Sequence, residues 1–166
     1  MAWNAGRHAD GICSVGVTPA RFRDTLLPAF ARGAREAGKR PELMRRMVWV
    51  PTSYHPDPET ALAAARLEAG VLVPGAFDTV LDPREFEELG KTVDEATIRA
   101  AACVASSAEE IAETFARYVK AGATHVVWGD LSPDPDLVPQ LAKTAVLQLL
   151  RERFGSSTAA AGRTPL

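Results

Sequence analysis

The sequence predicts an α/β domain built on a parallel sheet, and three observations carry that expectation. Short, almost continuously apolar runs stand at residues 11–16 (GICSVG), 47–52 (MVWVPT) and 125–129 (HVVWG), the pattern of strands covered on both faces. Between them lie segments with helical apolar spacing and recognisable caps. Strand and helix alternate along the whole chain, which makes a parallel sheet with right-handed crossovers.

Each element has its own local signal. Thr18 before Pro19 gives a helix cap followed by proline at the first helical position. Apolar residues then recur at Phe22, Leu26, Leu27, Phe30 and Ala34, a stripe closed by Gly38. Pro28 inside this stretch is expected to kink the helix or divide it. In the second strand Pro51 is read as the point where the strand ends. Asp57 caps a helix over residues 58–70. Residues 71–83, with Pro74, Gly75 and Pro83, read as an irregular excursion. Short helices follow at 83–89 and 94–102, the second opened by a Thr92/Glu95 capping box. A second box, Ser107 with Glu110, opens a helix that ends near Gly122, and a helix over 136–154 follows the third strand. The domain is therefore residues 1–155, with 71–102 as an insertion segment. The tail at 156–166 has no apolar stripe and is expected to be disordered. Three strands leave two parallel edges unpaired, and almost nothing precedes the first of them. A (β/α)8 barrel cut in half would have this order.

Composition narrows the function. At 166 residues, 46% hydrophobic and 24% charged, the chain has the balance of one folded soluble domain. A net charge of −2 gives no electrostatic attraction to nucleic acid. The basic cluster at residues 40–46 is interrupted by Glu42 and reads as a solvated loop. No apolar run reaches membrane-spanning length and the N-terminus has no signal core. Cys13 and Cys103 are far apart, each in an apolar, small-residue setting typical of a buried free thiol. These features point to a cytoplasmic, soluble chain with neither nucleic acid nor membrane as partner.

In a parallel α/β sheet ligands bind at the C-terminal ends of the strands. The candidates are therefore Ser14, Gly16 and Val17 after the first strand, Ser53 and His55 after the second, and Asp130 after the third. His55 is either a general base or donor to substrate, or part of a turn capping the next helix. Asp130 either holds a substrate hydroxyl or helps to cap the last helix. His8, His55 and His125 have no metal-ligand spacing, and G-x-S-x-G, G-x-G-x-x-G and Walker patterns are absent.

Several stretches, in order, resemble a known family. They are residues 5–11 (AGRHADG), 26–28 (LLP), 53–62 (SYHPDPETAL), 104–111 (VASSAEEI) and 118–128 (YVKAGATHVVW), with the final LLRERFG. The series is similar to the second half of luciferase-like flavin and deazaflavin oxidoreductases, nearest to the glucose-6-phosphate dehydrogenases that use coenzyme F-420. The resemblance implies that the strands are the last three of a (β/α)8 barrel. It also implies hydride transfer between a substrate carbon and F-420, or FMN as the alternative cofactor, on an alcohol or carbonyl substrate. The family's catalytic histidine, tryptophan and glutamate belong to the first half, so no catalytic residue is expected here and this segment alone is expected to be inactive and not to bind the cofactor.

By the same resemblance, sugar-phosphate-using members hold the phosphate with two lysines and an arginine at the positions of Val17, Phe77 and Ala101. Only Ser14 keeps a hydroxyl where the family has threonine. Substrate contacts are therefore assigned to Ser14, Val17, Phe77 and Ala101, with Gly16, Ser53, His55 and Asp130 as further pocket lining. Without the three cations a phosphate dianion is poorly matched, and glucose 6-phosphate is not the expected substrate. The expected partners are a missing barrel half or a second copy of the chain. The alternative is a non-catalytic half-barrel that serves binding or assembly.

Overall fold

The computed structural model describes residues 1–80 and 82–155, and its sheet is assembled around β2 (Arg45–Tyr54). β2 pairs in parallel with β1 (Gly11–Val15), β3 (Cys103–Ala105) and β4 (His125–Asp130). The register sets Cys13 beside Met47, Val15 beside Trp49, Trp49 beside Val127 and Pro51 beside Gly129. The expected tail at 156–166 lies outside the described residues.

β3 is a strand that sequence reasoning missed. It has three residues, follows directly on a helix, and lies beside Thr52–Tyr54 at the C-terminal end of β2. β2 is also longer than expected and runs through Pro51. In a parallel ladder the N–H and C=O of one residue point to the same neighbour, and the sides alternate along the strand. Arg45 N–H donates to Asp10 on the β1 side, whereas Arg46 and Thr52 carbonyls accept from Thr124 and Leu131 on the β4 side. Odd residues therefore face β1, and His55 N–H, donating to Ala105, shows that β3 lies on that same side. β1 ends opposite Trp49 and β3 starts opposite Thr52. Pro51 sits in the gap between them, where its missing N–H breaks no pair.

α1 (Ala2–His8) is another element absent from the expectation. Seven residues carry no sustained stripe, and the helix is held instead by packing on α3 (Leu27–Glu36). Gly6 and Gly33 let the two backbones touch: a Cβ at Gly6 would run into the Phe30 carbonyl, and one at Gly33 into the Trp3 carbonyl. Thr18 caps α2 (Pro19–Arg21) as expected, accepting from Arg21 N–H at 3.3 Å. The helix then divides before Pro28 at a π turn, Phe22–Leu26. The wider turn relieves the clash that a proline ring imposes on a regular helix.

α4 (Pro58–Leu67) is capped by Asp57, whose carboxylate accepts from Thr60 N–H at 3.1 Å. The insertion comprises a 3-10 turn Ala69–Leu72, the single-turn α5 (Ala76–Thr79), α6 (Pro83–Gly90) and α7 (Glu95–Ala101). The Thr92/Glu95 box does not form. Asp94 is the extended residue before α7 and accepts from Thr97 N–H at 2.9 Å, while the Thr92 hydroxyl donates to the Leu89 carbonyl at 2.7 Å. At α8 (Ala108–Lys120) half of the expected box is present. Ser107 accepts from Glu110 N–H at 3.2 Å, but the Glu110 carboxylate takes Ser106 N–H at 2.7 Å. The chain closes with α9 (Leu137–Leu141), a π turn Ala142–Val146 and α10 (Leu147–Phe154).

Among the described residues, helices cover one face of the sheet. Val48 and Val50 of β2, with Val126 and Trp128 of β4, pack against Phe22, Ile111, Phe115 and Val146. Trp128 meets Phe115 edge to face at 5.7 Å. A second cluster, Leu62, Ala65, Ala69, Val93 and Ile98, gives the insertion its own small core. The opposite sheet face presents Cys13, Val15, Met47, Trp49 and Val127, and among the described residues no helix lies over it; Val15 is 63% and Trp49 46% exposed. Cys13 is therefore exposed, contrary to expectation, because its strand has a bare face, while Cys103 is buried as expected.

Candidate functional site

The C-terminal ends of β1, β2 and β4 lie side by side, as the parallel register requires. After β1 the chain turns at Gly16, with φ +60, and Val17 becomes buried. Its carbonyl accepts the Tyr118 hydroxyl at 2.9 Å, which ties this turn to α8. Ser14, Gly16 and Val17 line a groove of about 550 Å³ along the free edge of β1, walled by α1 and by Arg21 and Leu26. Arg21 is a cation at this groove that sequence reasoning did not assign.

The other candidates are engaged locally. Ser53 is fully buried and donates to the Ala61 carbonyl at 2.8 Å, fixing α4 to β2. His55 Nδ1 accepts Asp57 N–H at 3.0 Å, so its ring belongs to the turn that opens α4. The Asp57 carboxyl is held below the ordinary carboxylate range, chiefly by the Thr60 hydroxyl. Asp130 accepts Ser132 N–H at 2.9 Å, and the Ser132 hydroxyl accepts Tyr54 N–H at 3.0 Å. This pair of bonds ties the β4 loop to the end of β2.

Phe77 and Ala101 are not gathered with Ser14 around one cavity. Phe77 is 75% exposed on the insertion, its ring 5.5 Å from that of Phe86. Ala101 lines a separate cavity of about 640 Å³ with Arg99, Cys103, Glu110, Arg117 and Tyr118. Among the described residues no group of three or more His, Cys, Asp or Glu is placed to hold a metal ion.

Trp49 is the residue at this end of the sheet that sequence reasoning left as strand filling. Its indole reaches past its register partner Val127 and lies across Gly129, where a Cβ would overlap the ring nitrogen. The side chain thus leans toward the C-terminal mouth of the bare face. A Trp with a Gly two residues beyond its register partner is a signal that needs the strand pairing before it can be read. The bare face is apolar at this end, whereas Ser14 and Arg21 bring a hydroxyl and a cation to the groove at the free edge of β1.

A parallel α/β sheet of this kind, with one face bare among the described residues and open strand ends, has the form of part of a (β/α)8 barrel. The luciferase-like monooxygenase family model matches residues 1–125, and the chain belongs to that family. Curated relatives include F-420-dependent glucose-6-phosphate dehydrogenases. That of Mycolicibacterium fortuitum is 36% identical over 77% of this chain and 39% of its own length. That of Microbacterium testaceum is 32% identical over 90% of this chain and 45% of its own length. Among solved structures, an F-420-dependent secondary alcohol dehydrogenase bound to an F-420–acetone adduct is similar with a TM-score of 0.82 and 33% identity. That match covers 90% of this chain and 46% of the dehydrogenase. The F-420-dependent tetrahydromethanopterin reductase of Methanopyrus kandleri, at 23% identity and a TM-score of 0.73, shares the fold. The chain thus spans less than half the length of these relatives. Among the described residues no helix is long and apolar enough to cross a membrane.

Proposed function

We propose that this chain supplies three strands and one pocket wall of an F-420-dependent oxidoreductase that moves a hydride to or from a small alcohol or carbonyl compound. The observation that carries the reading is the bare apolar face on which Val15 lies beside Trp49, next to the turn at Gly16. Hydride transfer needs a dry site, and an apolar wall excludes water.

The residues present suit the edge of a flat ring and an uncharged substrate. Gly16 exposes backbone to whatever approaches β1, and Val15 and Trp49 offer apolar contact. The Ser14 hydroxyl can hydrogen-bond a substrate oxygen. F-420, when bound, supplies or accepts the hydride; on this reading the groups that move the accompanying proton belong to the first half of the barrel. FMN in the same place is the alternative. With reduced thiols at Cys13 and Cys103, a cytoplasmic setting fits the reading.

Glucose 6-phosphate is disfavoured as substrate. The sugar-phosphate-binding positions are taken by buried Val17, by Phe77 and by Ala101, leaving Arg21 as the cation on the Ser14 groove. A phosphate dianion is ordinarily met by several charge-assisted hydrogen bonds. The test is a barrel completed with the first part of the secondary alcohol dehydrogenase and assayed by F-420 reduction. Turnover of secondary alcohols with at least tenfold lower kcat/KM for glucose 6-phosphate is expected. Preference for the sugar phosphate, or reduction of FMN with no response to F-420, would overturn the assignment.

A further inference from the structure

The bare face carries an aromatic side chain, Trp49, near its C-terminal end, and the neighbouring strand is shaped around it. Val15 of β1 and Val127 of β4 are its register partners. The indole passes Val127 and lies over Gly129, which is buried two residues nearer the strand end. A Cβ at Gly129 would overlap Nε1, Cδ1 and Cε2, all atoms of the five-membered ring. Gly129 does not have a positive φ, so the ring, and not the backbone, explains why this position carries no side chain.

Packing alone does not account for the arrangement. A core tryptophan buries its ring and gives its N–H an acceptor. Trp49 is 46% exposed, and among the described residues no group accepts from its indole N–H. In a (β/α)8 barrel the inward side chains fill layers, and ligands bind at the C-terminal face above them. By crossing to Gly129, the Trp49 ring leaves the row of Val15 and Val127 and rises toward that face. There it takes up volume that a bound molecule would otherwise fill, and it offers that molecule a flat apolar surface edged by one N–H donor.

We propose that Trp49 is a specificity-determining residue of the hydride-transfer site: its indole, seated over Gly129, forms the floor of the substrate pocket and limits it to short-chain alcohols and the matching carbonyl compounds. The inference rests on the reading of this chain as part of an F-420-dependent oxidoreductase, and it narrows the substrate class within that reading. A methylene that fits or fails to fit an apolar pocket changes kcat/KM by about tenfold or more, so one ring can divide short chains from long ones. Gly129 acts through Trp49 as a positioning residue, because a side chain there pushes the indole up into the pocket.

The test compares kcat/KM for propan-2-ol and octan-2-ol in the completed barrel of the preceding subsection. Trp49→Ala should move the ratio toward octan-2-ol at least tenfold, chiefly through KM, and Trp49→Phe should give an intermediate ratio. Gly129→Ala should raise KM for propan-2-ol severalfold when Trp49 is present and change it less than twofold in the Trp49→Ala background, the coupling expected of touching residues. An active barrel whose ratio ignores both Trp49 substitutions, with circular dichroism preserved, overturns the proposal and leaves the functional assignment standing. A binding arm needs no turnover. Trp49 emission, taken by difference against Trp49→Phe, should respond saturably to propan-2-ol and not to octan-2-ol. That response in a barrel that does not reduce F-420 supports the pocket floor and counts against the functional assignment alone; no response in such a barrel overturns the proposal. In the 166-residue chain itself, Gly129→Ala should shift the Trp49 emission, and an unchanged spectrum would also overturn it, because the indole would not lie over Gly129.

Discussion

Cys13 and Cys103 carry the same side chain into opposite surroundings. Cys13 lies on the bare face of β1, whereas Cys103 is 7% exposed at the start of β3. Burial pushes the Cys103 thiol above its ordinary value, with the Thr114 side chain pulling modestly the other way. The thiolate is the reactive form, so Cys13 should be alkylated at neutral pH more than tenfold faster than Cys103, as read by peptide mass spectrometry. The same shift has a sign in stability. The folded chain holds the Cys103 proton to higher pH than the unfolded chain does, so the contribution is complete below the unfolded thiol's pKa of about 8.5. It is lost as pH rises toward the raised folded value. Thermal melts should show a decline on the alkaline side that Cys103→Ala removes. Both cysteines look alike in the sequence because both sit in small apolar runs. Which one is shielded depends on what covers each sheet face, and no local pattern states that. His55 and Asp130 were ambiguous for a related reason: a polar residue after a strand satisfies a turn or a ligand with the same atoms, and here both bond to their own turns.

At the scale of elements, the strands and long helices follow from apolar period and caps, and the exceptions have identifiable causes. Pro28 was legible as a break, and the structure resolves it as a π turn. Pro51 was misread because proline in a strand is disfavoured only where its N–H would be paired, and the partner strands leave that position vacant. β3 and α1 are too short for periodicity and are fixed by tertiary contact, β3 by β2 and α1 by α3. The α1–α3 contact gives a sharp prediction. Gly33→Ala places a methyl against the Trp3 carbonyl, a backbone group that cannot step aside without moving the helix. Overpacking of this kind costs about 2 kcal/mol. Chemical denaturation should register that loss, and hydrogen exchange should show α1 released; an unchanged midpoint would mean that α1 is not docked as described.

The molecule as a whole has two cores among its described residues, one between sheet and helices and one inside the insertion. The parallel α/β class was legible because strands and helices alternate along the chain, while the barrel was what the resemblance implied. The pocket was less so, since Ser14, Phe77 and Ala101 come from three segments and no local pattern states how those segments lie in space. In the described structure Ser14 lines the edge groove, Ala101 lines another cavity and Phe77 projects from the insertion. A wall of this kind gives a cofactor contact on one side only, which is too little to offset the entropy of binding. The measurement that bears most directly on this account is a fluorescence titration of the purified 166-residue chain with F-420, with FMN in parallel, at a recorded oligomeric mass. The account predicts no saturable binding of either cofactor by the folded chain alone. Stoichiometric binding at micromolar concentration would contradict it and show that these three strands hold the cofactor without the rest of the barrel.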